Sequence, residues 1–518
     1  MAKFSGTAPI RVPAQGPIRV AEQVAPTYEG GDGRLRDAQS ELFLLAVTNM
    51  VGEATFYEAS ADRDKRYRDL IADVVRTDSD WLRRFVPFLR DTMQMRSAST
   101  VMAAEYVYAG GPNGRSVVSS ALQRADEPAE ILGYWHATHG RKLPAALKRG
   151  IADACQRLYT ERASLRYDGQ DKAIRFGDVI DLVHPVPSAG WQSELFRYLL
   201  DKRHKRADPR IGEGLRTIPL DLALMGLPED QRRSALRDGR VAAAGWSWER
   251  LAGWLPGGMD AEAWASVVPQ MGYMALLRNL RNFEAKGIPE DLKDRIIGRL
   301  SDPDEVAKSR QFPYRFYSAY KANAGNLTWG RALERALDHS VKNIPAFDGR
   351  TLILVDLSGS MTSAVSAKSQ MARYEIGALF GAALWKKGGS YQADLVCFGQ
   401  GSARLDIAPG SSVLKVTEFI TNLQRSGQLG HATFIQQAVQ AHYDGHKRVV
   451  IFTDEQGHDN KAGSLANVPQ LHVFNLAGYR VAMAPHGQAG VHSYGGFTDA
   501  TFRLMPLLEM GREQGWPF

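Results

Sequence analysis

Two aspartates, two serines and a threonine are the residues of this chain best suited to chemistry. Asp356, Ser358 and Ser360 fall in "TLILVDLSGSMTS", directly after an apolar run, and Asp454 closes a second apolar run in "RVVIFTDE". Thr433 follows "GQLGHA" where a helical pattern opens. All five offer oxygen, and none brings imidazole or thiolate. Such a set suits a hard divalent cation. Mg²⁺ fits it best, because that ion takes few protein ligands and fills its octahedral shell with water or a partner's carboxylate. Taken singly, an Asp after a strand is usually a helix cap and Ser-x-Ser a turn. The combination is what points to a cation.

Catalysis finds no support beside these residues. No nucleophile–base pair is evident near them, and a Gly-x-Ser-x-Gly elbow and a phosphate-binding glycine loop are missing from the sequence. Glu455 is the one extra carboxylate next to Asp454, which is thin ground for a metal-dependent nuclease. The histidines of "HGQAG" and "GHDN" read as exposed loop residues.

A second group is basic and lies earlier in the chain. Lys142, Lys148 and Arg149 come first, then Arg166, Lys172 and Arg175, then a cluster from Lys202 and Arg203 to Arg206. Tyr159, Tyr167 and Phe176 interleave with them, and His184 follows in "LVHPVP". Cations on a rigid surface bind phosphates, and planar rings stack unpaired bases. The plainer reading of "DKRHKR" is a solvated helix end, and of His184 a loop histidine. Arg278 and Arg281, in "LLRNLRN", read as members of buried polar networks between helices.

The elements that must position these groups differ along the chain. Residues 1–30 carry "PIRV" twice among Pro, Gly, Ala and Gln, which blocks helix and favours an extended arm, either disordered or pinned by Ile10, Val12, Ile18 and Val20. Residues 31–345 are dominated by helical periodicity, with Gly or Pro punctuation every ~15–20 residues. Stacked helix pairs would let so long a helical stretch bury its apolar faces, with an irregular all-α domain as the alternative. Residues 346–518 alternate apolar strands ("TLILVD", "ADLVCFG", "RVVIFTDE", "LHVFNLAG") with helices, among them one whose stripe is Ile376, Leu379, Phe380, Ala383 and Leu384. That grammar predicts a mostly parallel sheet covered on both faces. Ligands of such sheets bind at the carboxyl ends of strands, where Asp356 and Asp454 lie.

Composition sets wide bounds. The 518 residues are 44% hydrophobic and 23% charged, which suits globular domains with real cores. No apolar run reaches the ~20 residues of a membrane span, and the first residues lack a secretory apolar core. Cys155 and Cys397 are the only cysteines, too few for a thiolate zinc site, and a cytoplasmic location is the simplest expectation. Net charge is +7, of which only +1 arises after Arg350. Most of the basic excess lies in the long part before Thr351.

The pattern Asp-x-Ser-x-Ser, a later Thr and a later Asp resembles the metal-ion-dependent adhesion site of von Willebrand factor A domains. The glycine-rich turn usual before that Thr is here "LGHAT", with His431 and Ala432 in it. Earlier, "ELFLLAVTNMVGEATFYEASADR", "FLRDTMQMRSASTVMAAEYV", "GDVIDLVHPVPS", "MGYMALLRNLRNFEAKG" and "SRQFPYRFYSAYKA" resemble the TROVE domain of the Ro autoantigen family. That family's architecture is a TROVE region followed by an A domain, and the resemblance covers about residues 30–518. It implies a bacterial or phage Ro-like RNA-binding protein: a monomeric α-solenoid of HEAT-like repeats closed into a ring, plus an α/β A domain. It further implies Y-like small RNA on the outer surface, single-stranded 3′ ends of misfolded RNA in the central hole, and a role in RNA quality control or processing. An exoribonuclease such as polynucleotide phosphorylase is the implied protein partner. Arg166–Tyr167 and His184 match positions at which the family contacts RNA. A further basic position of the family is Gln170 or Asp171 here, for which Lys172 or Arg175 can substitute. The competing function is a cation-dependent protein-docking scaffold built on Asp356, Ser358 and Ser360.

Overall fold

The structure, a computed structural model, describes residue 17 and residues 20–26, 32–48, 60–205, 209–365, 371–389, 392–456, 465, 468–477, 490–495, 499–509 and 515–518. Arg206 and the "GHDN" and "HGQAG" histidines lie outside them, as do residues 1–16 of the expected arm. The described residues divide into two compact units. One gathers the described residues within Met1–Tyr67, Phe312–Tyr317 and Ser340–Phe518, and the other those within Arg68–Gln311 and Ser318–His339.

The first unit holds two sheets. A hairpin pairs β1 (Val20–Pro26) antiparallel with β2 (Asp32–Arg36). The main sheet contains β3 (Thr351–Asp356), β4 (Ala393–Phe398), β5 (Ser402–Arg404), β6 (Arg448–Thr453), β7 (Leu471–Asn475) and β8 (Val491–Gly495). Their spatial order is β5-β4-β3-β6-β7-β8, and every pairing is parallel except that of β4 with β5. The strands read as continuous apolar runs because both faces are covered. Leu352 and Leu354 join Val396, Val449, Ile451, Ile435 and Val439 in a core on one face. On the other face, Ile353 and Val355 meet the Arg373–Gly388 helix, where Gly381 is the close point. A Cβ there would stand 2.6 Å from Val355 Cγ2.

That helix departs from the expected stripe. All of Ile376 to Trp385 is buried, because the sheet lies on one side and the Val413–Ser426 helix packs on it as well. A helix apolar all round is what such double coverage requires. The strand β8 and the short β5 were not expected from the sequence. "VHSYG" is too short and too polar to read as a strand, yet all five of its residues are buried.

The second unit is helical throughout. Neighbours pack as pairs: Gly114–Ala121 on Ala145–Leu158, Phe176–Val183 on Gly190–Arg203, and Tyr273–Ala285 on Glu290–Ser301. Helix pairs, not an irregular arrangement, are the architecture. Starts are set by side-chain caps, as Thr160 Oγ1 accepts the Ala163 N–H and Asp260 Oδ1 that of Ala263. The first pair closes at Gly150, where a Cβ would meet Val118 Cβ at 2.6 Å and the Arg115 carbonyl oxygen at 2.7 Å.

Arg278 and Arg281 correct an expectation. Both are exposed. Tyr273, Leu276, Leu277, Leu280 and Phe283 form the buried stripe of their helix, and 278 and 281 fall opposite it. The buried polar residue is Asn279, whose amide donates to the Ala275 carbonyl at 2.8 Å.

Candidate cation site and nucleic-acid surface

In the α/β unit, register brings the carboxyl ends of β3 and β6 side by side, with Val355 opposite Phe452. Asp356 and Asp454 therefore stand at one edge, both fully buried. The Ser358 N–H donates to Asp356 Oδ1 at 2.8 Å, and Ser358 Oγ lies 3.3 Å from Ser360 Oγ. Thr453 Oγ1 donates to Asp356 Oδ2 at 2.6 Å. The loop bearing Thr433 is pinned to the same edge by three backbone bonds: Gly359 N–H to His431 O, Gly401 N–H to Leu429 O and Phe434 N–H to Gly399 O. Thr433 itself is buried, and the helix after it runs Ile435–His442.

Burial, together with the charge of Asp454, pushes the Asp356 carboxyl up to about 7 against the hydrogen bonds from Thr453 and Ser358. A divalent ion would invert that balance. The donors fit a hard cation in kind, being carboxylate and hydroxyl oxygens only. Among the described residues, no group of three or more His, Cys, Asp or Glu is placed to hold a metal. Glu455, with φ +59° and its N–H on Thr453 Oγ1, does not complete one. Arg373 also belongs to this edge, without any local sequence signal. Its Nη1 donates to Asp454 Oδ2 at 3.2 Å, with both side chains buried.

In the helical unit, the basic residues sort into two sets. Arg175 Nη2 donates to Asp168 Oδ2 at 3.0 Å, with Lys202 Nζ 4.0 Å from the same oxygen. Arg203 Nε donates to Asp178 Oδ1 at 2.6 Å. Burial lowers the Lys202 ammonium against the pull of Asp168. These three cations fasten the Phe176–Val183 and Gly190–Arg203 helices and the loop before them.

Lys142, Lys148, Arg149, Arg166, Lys172 and His184 form the other set. None of them has an acidic partner among the described residues, and all but the half-buried Lys148 are exposed. His184 sits at φ +50° as the C-cap of the Phe176–Val183 helix, its N–H on the Ile180 carbonyl at 2.9 Å. Tyr167 lies between two guanidinium groups, Arg166 and Arg124, each 5.3 Å from its ring centroid. Arg124 has no signal in the sequence, because 43 positions separate it from Tyr167. Tyr159 and Phe176 stack at 4.0 Å, but both are fully buried, so they are core and not base platforms.

Three comparisons bear on this arrangement. The family model described as the TROVE domain matches residues 245–328. Over 116 residues the chain is 32% identical to the RNA-binding protein RO60 of Caenorhabditis elegans, covering 20% of this chain and 18% of that protein. The aligned part is thus under a fifth of that relative's length. The structure is similar to the crystal structure of the Deinococcus radiodurans RO (RSR) protein, with a TM-score of 0.68 over 91% of this chain and 99% of that one. At 15% identity that likeness speaks to fold: helical repeats with an A-type α/β domain.

Proposed function

From the premise that this chain belongs to the Ro family, we propose that it is a non-catalytic RNA-binding protein. The observation that carries this is the set of cations without acidic partners, Lys142, Lys148, Arg149, Arg166 and Lys172, on a rigid helical surface together with Tyr167 and His184. Phosphate contacts of this kind give affinity without sequence readout. In this reading a small structured Y-like RNA lies on the outer surface. Unpaired 3′ ends of misfolded RNA enter the ring that the resemblance implies, in RNA quality control or processing in the cytoplasm. An exoribonuclease would take over the bound RNA.

The A-type site has a docking role in the same reading. Asp356, Ser358, Ser360, Thr433 and Asp454 would hold Mg²⁺, which supplies an electrophilic position for an acidic side chain of a partner. A protein scaffold working through this site alone is the second reading, favoured by its buried and pre-shaped donor set.

Binding of a labelled RNA with a single-stranded 3′ tail, compared with a blunt duplex across a salt series, tests the first reading. The tailed RNA should bind more tightly, and log affinity should fall steeply with log salt. Equal affinity for the two removes the threading of 3′ ends. Asp356→Ala separates the readings: under the first it should leave RNA affinity near wild type, and under the scaffold reading it should abolish partner capture, with RNA retained only through that partner.

A further inference from the structure

Tyr108 ends the Arg96–Tyr108 helix and is 61% exposed. Single exposed aromatics need no explanation, but this one is braced. Its ring stacks on the His139 imidazole, with centroids 3.7 Å apart and planes 19° from parallel. The Trp135 indole meets it edge-on at 6.0 Å. His139 is itself fixed, because Nε2 lies 2.8 Å from Oε1 of the buried Glu105, which also accepts the Tyr134 hydroxyl.

The next turn is fastened to the same block. Gly140, at φ +82°, reverses the chain after the Glu127–His139 helix. Trp135 Nε1 then donates to the Lys142 carbonyl at 3.0 Å. Arg141 and Lys142 are both exposed, and neither has an acidic partner among the described residues. A rigid planar ring thus stands beside two unneutralised cations on a turn held to its own support.

We propose that Tyr108, backed by His139 and flanked by Arg141 and Lys142, is a stacking platform for one unpaired nucleobase of single-stranded RNA, with the cations on the adjoining phosphates. This deepens the RNA-binding reading above and rests on it. The chemistry is that of sequence-tolerant recognition: every base has a π-face, and every linkage a charge. Because Tyr108 is already immobilised, little side-chain freedom is lost on binding.

The test uses the full chain and a short single-stranded oligoribonucleotide carrying 2-aminopurine, with a blunt duplex of the same sequence as control. Tyr108→Ala should weaken single-strand binding roughly five- to a hundred-fold and leave both duplex binding and the salt slope as in wild type. Tyr108→Phe should keep wild-type affinity and still quench the 2-aminopurine emission, which Tyr108→Ala should not. Lys142→Gln should lower the salt slope by about 0.7. If wild type and Tyr108→Ala bind the single strand equally, the platform is wrong while RNA binding stands. If wild type binds no single-stranded RNA, the platform falls together with the RNA-binding reading.

Discussion

Arg373 and Asp454 form a buried ion pair, Nη1 to Oδ2 at 3.2 Å, within the oxygen-donor set at the end of β3 and β6. One carboxylate of a proposed Mg²⁺ site is therefore already faced by a fixed positive charge. A divalent ion entering there meets repulsion on the order of a few kcal/mol at the effective dielectric of such sites. Wild type should bind Mn²⁺ weakly by calorimetric titration, and Arg373→Met at least about tenfold more tightly. Without metal the variant should lose about 3 kcal/mol of stability, because the carboxylates are left buried together, and Mn²⁺ should restore it. Equal Mn²⁺ affinity in the two proteins would show that the guanidinium does not compete.

The division of the basic residues predicts two classes of variant. Arg166→Gln and Lys172→Gln should each reduce the salt slope of single-strand binding by about 0.7 while leaving the melting temperature near wild type. Arg203→Gln should do the reverse, since its Nε holds Asp178 across two helices. Salt-dependent anisotropy and thermal melting, read on the same samples, check both. A large loss of RNA affinity in Arg203→Gln, with melting unchanged, would reverse the assignment.

What was legible in the sequence follows from how local each feature is. Asp356, Ser358 and Ser360 announce themselves because strand and turn are contiguous, and Asp454 because an apolar run precedes it. Arg373 was illegible. It lies at the start of a helix, 81 positions from its partner, and its neighbours "MARYE" carry no signal. The same holds for Tyr108 and His139, which only packing between two helices brings together. Density of charge along the chain gave the basic region but not its sorting, because Asp168 and Asp178 neutralise Arg175 and Arg203 through loop and helix contacts. The strand β8 was hidden by its polar residues, His492 and Ser493, which are buried all the same.

Those buried residues make the α/β unit sensitive to acid. His492 stacks on His472 at 5.1 Å, and burial, then repulsion from His472 whenever that ring is protonated and from Arg36, holds it well below the ordinary 6.5. Burial also lowers His472, although Glu509 opposes the shift. Both rings are neutral in the fold, so their contribution is complete above pH 6.5. It is lost as pH falls from that value through the depressed folded pKa of each histidine, over the wider span for His492. Burial would raise Glu509, but hydrogen bonds from Arg448 and His472 hold it at about 2. A further loss therefore begins below about pH 4.5. Denaturant unfolding at pH 7.5, 6.5 and 5.5 should show the first decline, with a flatter profile in His492→Phe. Superimposable profiles would clear His492 of the effect.

The Thr433 loop reaches the edge that carries Asp356 and Asp454 only because residue 399 lacks a side chain. A Cβ on Gly399 would stand 2.9 Å from the Leu429 carbonyl oxygen and 3.0 Å from that of Gly430. Both are backbone atoms, and the loop is tied there by Gly401 N–H to Leu429 O at 2.9 Å and Phe434 N–H to Gly399 O at 3.0 Å. The loop cannot yield by a rotamer change, so Gly399→Ala must lift it from the edge. The expected loss is about 1–3 kcal/mol of stability, the range for overfilling a packed site. Moving Thr433 should also remove a hydroxyl from the donor set. The Mn²⁺ affinity gained in Arg373→Met should therefore fall back in the Gly399→Ala/Arg373→Met double variant. Gly401→Ala is the matched control, because a Cβ there finds its nearest neighbour only at 4.0 Å, on Leu429 Cδ2. If both alanines melt alike and bind Mn²⁺ alike in the Arg373→Met background, the close approach at Gly399 is not what positions Thr433.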